Sequence, residues 1–199
     1  LVMEYEFLLR LPGLLIAIIV HEFSHGFMAY LLGDNTAKES GRLSLNPLKH
    51  IDLTGLVFLL VFKFGWAKPV PINPYNFNNR KIDTIAVSLA GPFSNFIIAI
   101  IIGIIISKGI VTNYILLNIL VIMLWYNMML GVFNLLPFPP LDGSKVLASL
   151  LPVKYEYLFY KNEKYLYIIL IILVATNTIN RILSPIINFS LDMLIKIIS

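Results

Sequence analysis

The sequence contains no cysteine, which excludes disulfides, thiolate metal sites and catalytic thiols. Charge is also scarce. Only 13% of the 199 residues are Asp, Glu, Lys or Arg, against about 25% in an ordinary soluble domain, so the chain cannot cover a water-facing surface in the usual way. A disordered chain, a collagenous one and a typical cytosolic enzyme are excluded on the same ground. What is present instead is apolar. Hydrophobic residues make up 58% of the chain and its mean hydropathy is +0.84, a composition suited to a bilayer as solvent. The net charge is +4. In so apolar a chain this reports loop orientation rather than nucleic-acid binding, and no nucleic-acid partner is expected. At roughly 150 residues per domain, the length suits a single domain over residues 1–199, with its core at 7–152.

A membrane-spanning helix needs about 20 mainly apolar residues. Four segments reach that length. They run from about Phe7 to Leu32, Ile82 to Ser107, Tyr114 to Leu136 and Tyr165 to Leu183, and the last is stopped by Ser184-Pro185. The first is long and has no small-residue cleavage site after it, so it reads as a span rather than a signal peptide. Leu53 to Phe64 is apolar but only about a dozen residues, roughly 18 Å as a helix against a hydrocarbon core of about 30 Å. Gly143 to Leu151 reads as a short helix ended by Pro152, and Ile186 to Ile198 as an interfacial or bundle-packing segment.

Basic residues gather at one end of this arrangement: Lys38, Arg42 and Lys49, then Arg80 and Lys81, then Lys145, Lys154, Lys161 and Lys164. The other end receives Arg10, Lys108 and Arg181. The positive-inside rule assigns the richer end to the cytoplasm. That holds if Leu53 to Phe64 enters and leaves on one face, as a re-entrant segment or a hairpin buried by its neighbours. The expected fold is therefore an all-α, multi-pass bundle of about four spanning helices in the cytoplasmic membrane. It carries a re-entrant segment and a small β-hairpin element near Gly65–Pro74.

The sharpest motif is His21-Glu22-Phe23-Ser24-His25, which is H-E-x-x-H within the first span. Helix positions i and i+4 share a face, so both imidazoles can bind one metal ion. Glu22 lies about 100° round the helix and can take a proton from water beside that ion. The competing reading is a pair of buried histidines satisfied by neighbouring helices. Ionisable groups in an apolar span are costly, however, and by default mark function. Catalytic zinc usually takes three protein ligands. His50 sits in a polar loop and reads as a surface or interfacial residue. Asp142 follows the proline-rich stretch Pro137-Phe138-Pro139-Pro140, whose irregular backbone at membrane depth needs protein cover or a polar cavity. Taken alone, Asp142 reads better as the N-cap of the helix at Gly143; paired with the helical histidines, it is the better third ligand.

H-E-x-x-H in one span and N-x-x-P-x-x-x-x-D-G in a later one resemble the site-2 protease family of intramembrane zinc metalloproteases. Gly41-Arg42-Leu43-Ser44-Leu45-Asn46-Pro47, Gly65-Trp66-Ala67-Lys68-Pro69-Val70-Pro71-Ile72-Asn73-Pro74 and Ala90-Gly91-Pro92-Phe93-Ser94-Asn95 also resemble its small prokaryotic members. The resemblance covers roughly residues 14–152. It implies one zinc ion per chain held by His21, His25 and Asp142, with Glu22 as general base and Asn134 and Asn95 holding substrate. It also implies hydrolysis of single-span membrane protein substrates in the lipid bilayer, near the cytoplasmic side. The PDZ-like insertion of larger members is not found between the second and third spans. Pro69 and Pro71 deprive one edge of residues 66–74 of donors, while Lys68, Val70 and Ile72 keep donors on the other. That edge could pair within its own hairpin or hold an extended substrate by strand addition. A metal-transporting protein and an inactive scaffold are the competing functions. The first does not require Glu22 and usually shows repeated halves; the intact motif residues argue against the second.

Overall fold

The computed structural model describes residues 2–52, 54–55 and 67–198. In chain order the helices are α1 (Val2–Leu31), α2 (Thr36–Glu39), α3 (Arg80–Ser107), α4 (Tyr114–Asn134), α5 (Asp142–Leu150), α6 (Val153–Lys161), α7 (Glu163–Ala175) and α8 (Thr178–Ile198). Two 3₁₀ turns, Pro47–Lys49 and Pro74–Asn76, lie between α2 and α3.

Among the described residues, three helical stretches are long and apolar enough to cross a membrane: Arg10–Leu31, Arg80–Ser107 and Tyr114–Asn134. Their ends are where local chemistry puts them. Asn79 and Asn113 cap α3 and α4, their side chains accepting from the Ile82 and Leu116 N–H groups, as short polar side chains do at helix starts. Beyond α1, Gly33 has φ 102°, a conformation glycine adopts without steric cost. The three helices pack against one another pairwise. In the most apolar 18-residue window of each, between 22% and 33% is buried, so much apolar surface is left facing outward, as a lipid solvent favours.

The fourth expected span is not one helix. α7 stops at Ala175, and α8 leaves it at 79°. The break falls on Thr176-Asn177, residues whose side chains compete with the helix for backbone partners. The Thr176 hydroxyl donates back to Ile172 O at 2.8 Å, and Asn177 takes φ 57°, a left-handed conformation asparagine tolerates better than most. At 13 residues, α7 is about 20 Å long, too short to cross unaided. The pair makes a fourth span only as a broken one. Pro185, expected to end the span, lies inside α8, which absorbs Ile186 to Ile198. Ile179, Leu183, Ile187 and Leu194 of α8 pack with Met128 and Val132 of α4 and Ala99 of α3 in the main core cluster.

The expected β-hairpin near Gly65–Pro74 finds no support: no strand occurs among the described residues, and Gly65 and Trp66 lie outside them. One antiparallel bridge joins Ile51 to Ala67, and Lys68 N–H donates to His50 O at 2.9 Å. Thereafter side chains, not a partner strand, take the donors. Val70 N–H goes to Glu22 and Asn73 N–H to Asp34, while Pro69 and Pro71 have none to give. The re-entrant segment expected at Leu53 to Phe64 lies, apart from Thr54 and Gly55, outside the described residues.

Candidate metal centre

His21 and His25 stand one turn apart on α1, and α3 crosses in front of them at Gly91. A Cβ at Gly91 would lie 2.4 Å from His25 Nε2 and 2.7 Å from His21 Nε2. Glycine is thus what allows this close approach. The third element arrives from α4. Beyond Asn134 the proline-rich turn reverses the chain and delivers Asp142 as the first residue of α5. Gly143 presses so closely on the turn that a Cβ there would sit 2.2 Å from Leu135 O. The N-cap of α5 is Leu141; Oδ2 of the Asp142 carboxylate faces the histidines, while Oδ1 accepts from Lys145 of its own helix at 3.3 Å.

His21 Nε2, His25 Nε2 and Asp142 Oδ2 form a triangle with sides of 3.0, 3.0 and 3.1 Å. All three residues are about 5% exposed. Zinc with ligands at about 2.0–2.1 Å in a tetrahedron separates them by about 3.3 Å, so a slight spreading of the triangle admits the ion. The far sides of the rings support this. His21 Nδ1 faces Asn95 Oδ1 and His25 Nδ1 faces Val87 O, both at 2.7 Å. Neither oxygen can donate, so both Nδ1 atoms carry the proton, and the two Nε2 lone pairs converge on Asp142.

Glu22 lies beside the triangle, not in it. Its Oε2 accepts from Val70 N–H at 2.8 Å. Asn134 is not brought to the triangle; its amide donates to Leu130 O on its own helix at 3.0 Å. Asn95 has no exposed surface and meets His21 directly. His50 corrects its expected surface position: it is 2% exposed and bonded through Nε2 to Ser44 O at 2.6 Å. Asn127 passed unnoticed in the sequence, although an amide in so apolar a span is itself a signal. Its Oδ1 accepts from Asn95 at 3.0 Å. A cavity of about 210 Å³, lined by His25, Val70, Ile72, Phe77, Val87 and Lys145, opens beside the triangle. It shares Pro74 and Thr84 with a second cavity, of about 280 Å³, that reaches Arg80 and Lys81.

The profile of Peptidase family M50 matches residues 102–176, the stretch holding Asp142 but not the α1 histidines. "Putative zinc metalloprotease YwhC" of Bacillus subtilis is 36% identical over 203 aligned residues, spanning 95% of this chain and 92% of that protein. The chain belongs to peptidase family M50. More distant similarity extends to "Putative zinc metalloprotease Rip2" of Mycolicibacterium smegmatis, 28% identical over 88% of this chain and 70% of that protein. "Zinc metalloprotease MJ0392" of Methanocaldococcus jannaschii is 27% identical over 73% of this chain and 35% of that protein. No solved structure matches. As an M50 peptidase, of the site-2 protease family, the protein is a zinc metallopeptidase with several apolar, membrane-length helices.

Proposed function

We propose that this single-domain M50 peptidase works in the cytoplasmic membrane, cleaving transmembrane helices of single-span proteins near the cytoplasmic side. The observation that carries the reading is the convergence of two neutral imidazole nitrogens and one carboxylate oxygen, within 3.1 Å of one another, inside an apolar bundle. One zinc ion per chain is held by His21, His25 and Asp142. When bound, zinc supplies a Lewis acid for the scissile carbonyl and lowers the pKa of water to about 7.

This chain's residues do the rest. Val70 N–H orients one oxygen of Glu22; the other accepts the proton of the attacking water and passes it to the leaving nitrogen. Asn95, wholly buried, orients His21, and the hold on substrate falls to Asn134. The cavities between His25 and the basic pair Arg80 and Lys81 provide the route for water. Because Lys68 and Val70 already spend their N–H groups, strand addition of substrate along that edge requires those bonds to be exchanged.

The test is cleavage of purified single-span substrates by the wild type and Glu22→Gln, with zinc content measured in parallel. Wild-type cleavage is expected, and the variant should be slower by about 10²–10⁴-fold at equal zinc, the usual worth of a general base. Equal rates would remove Glu22 from this role.

A further inference from the structure

We propose that Asn127 is a positioning residue of the metal centre, acting through Asn95 to set the tautomer and aim of His21. The inference rests on the proposed role of His21 as a ligand. Asn95 and Asn127 have no exposed surface, and they link three helices in one chain of hydrogen bonds.

The direction of each bond follows from its fixed end. Asn127 Nδ2 donates to Met123 O at 2.8 Å. A backbone carbonyl only accepts, so the amide oxygen of Asn127 must face α3. There it accepts from Asn95 Nδ2 at 3.0 Å. The second hydrogen of that nitrogen goes to Ala17 O on α1 at 2.9 Å. With its nitrogen spent on two acceptors, Asn95 can present only Oδ1 to His21, at 2.7 Å. The imidazole must then carry its proton on Nδ1 and keep the Nε2 lone pair for the triangle.

His25 needs no such relay, because the main-chain carbonyl of Val87 fixes it. The two rings are therefore held by different means: one by backbone, the other by amides from α3 and α4. Without Asn127, one hydrogen of Asn95 Nδ2, on a side chain with no exposed surface, loses its acceptor. An Asn95 flip then becomes cheaper. Flipped, its NH₂ would face Nδ1 and drive the ring proton to Nε2, withdrawing a ligand.

Cobalt(II) titration of the purified full-length chain, read by the visible d–d bands, tests this without relying on cleavage. Asn95→Leu should weaken cobalt binding about 10–100-fold, the usual effect of removing a group that orients a ligand. Asn127→Leu should weaken it about tenfold and alter the bands. In the Asn95→Leu background, Asn127→Leu should add less than about twofold, because its path to His21 is already cut. Asn127→Asp should largely restore binding, since the neutral acid offers a carbonyl to Asn95 and an O–H to Met123. Wild-type affinity in Asn127→Leu, or full multiplication of the two single effects in the double variant, would overturn the relay. A wild-type chain that takes up no cobalt would overturn the ligand set itself, and the relay with it.

Discussion

At the residue scale, the proposed ligand and the proposed base are separated by what each carboxylate touches. Asp142 meets both imidazoles, whereas Glu22 meets a backbone N–H. Asp142→Asn should therefore lower zinc stoichiometry and cleavage together, in contrast to the zinc-replete Glu22→Gln. A mere helix cap would tolerate Asn, which ranks beside Asp in that role, but α5 is capped at Leu141 and receives no side-chain cap bond. Parallel zinc analysis and cleavage of Asp142→Asn check this; normal values in both would dismiss Asp142 as a ligand. Gly91→Ala makes a second prediction. The added methyl would collide with both Nε2 atoms, so zinc should be lost although Gly91 is no ligand. Overpacking of this kind typically costs about 1–3 kcal/mol. Zinc analysis and thermal unfolding of the purified variant measure both effects. The i, i+4 spacing made the histidine pair legible in the sequence, and the unusual intramembrane carboxylate pointed to Asp142. The roles of Asn95, Asn127 and Gly91 were not legible, because each depends on which helix faces α1, and no local pattern records that.

At the element scale, residues 67–76 form a strap over the end of α1, held by side chains. Arg42 donates to Lys68 O at 2.6 Å, Glu22 accepts from Val70, and Asp34 accepts from the Asn73 backbone and the Asn76 amide, both at 2.7 Å. Period-two proline placement suggested a hairpin, but no strand forms among the described residues here. The partner was not legible, because a carboxylate can satisfy an N–H as well as a strand can. Asp34 has no exposed surface. Burial disfavours its charge, but hydrogen bonds from Thr36, Asn73 and Asn76 outweigh this and lower its pKa. The folded state therefore binds its proton less readily than the unfolded chain does, whose Asp titrates near 3.9. The resulting stability is fully present above about pH 4 and is lost as pH falls through the folded value. Asp34→Asn should thus lower the melting temperature by a constant amount from pH 7 to about pH 5, and the gap should close in more acid solution. Melting curves of both proteins across that range, in one detergent, provide the measurement. A gap that widened toward acid pH would contradict the assignment.

At the scale of the whole molecule, the hydrogen bonds themselves gather the basic residues at one end. Asp34, just past α1, binds the turn at Asn73 and Asn76 ahead of α3. Arg80 and Lys81, opening α3, pair with Glu156 of α6 at 2.6 and 3.3 Å. Asp142, reached after α4, sits with Lys145 at this end of the site. The end of α1, the start of α3 and the region after α4 are thereby tied together, whereas Lys108 follows the far end of α3. Spanning length made α1, α3 and α4 legible in the sequence. The bend between α7 and α8 was not, because an apolar run hides a break carried by two small polar residues, Thr176 and Asn177. The charge asymmetry rests on the three clear spans and does not depend on how that bent pair lies. It predicts one topology. Single cysteines introduced at Lys38 and at Lys154 into this cysteine-free chain should be labelled by an impermeant thiol reagent from the same side, the cytoplasmic one. A cysteine at Lys108 should be labelled from the other. Lys38 and Lys154 labelling from opposite sides would break the bundle into a different set of crossings. It would also separate α6 from Arg80, a contact the fold cannot make across a bilayer.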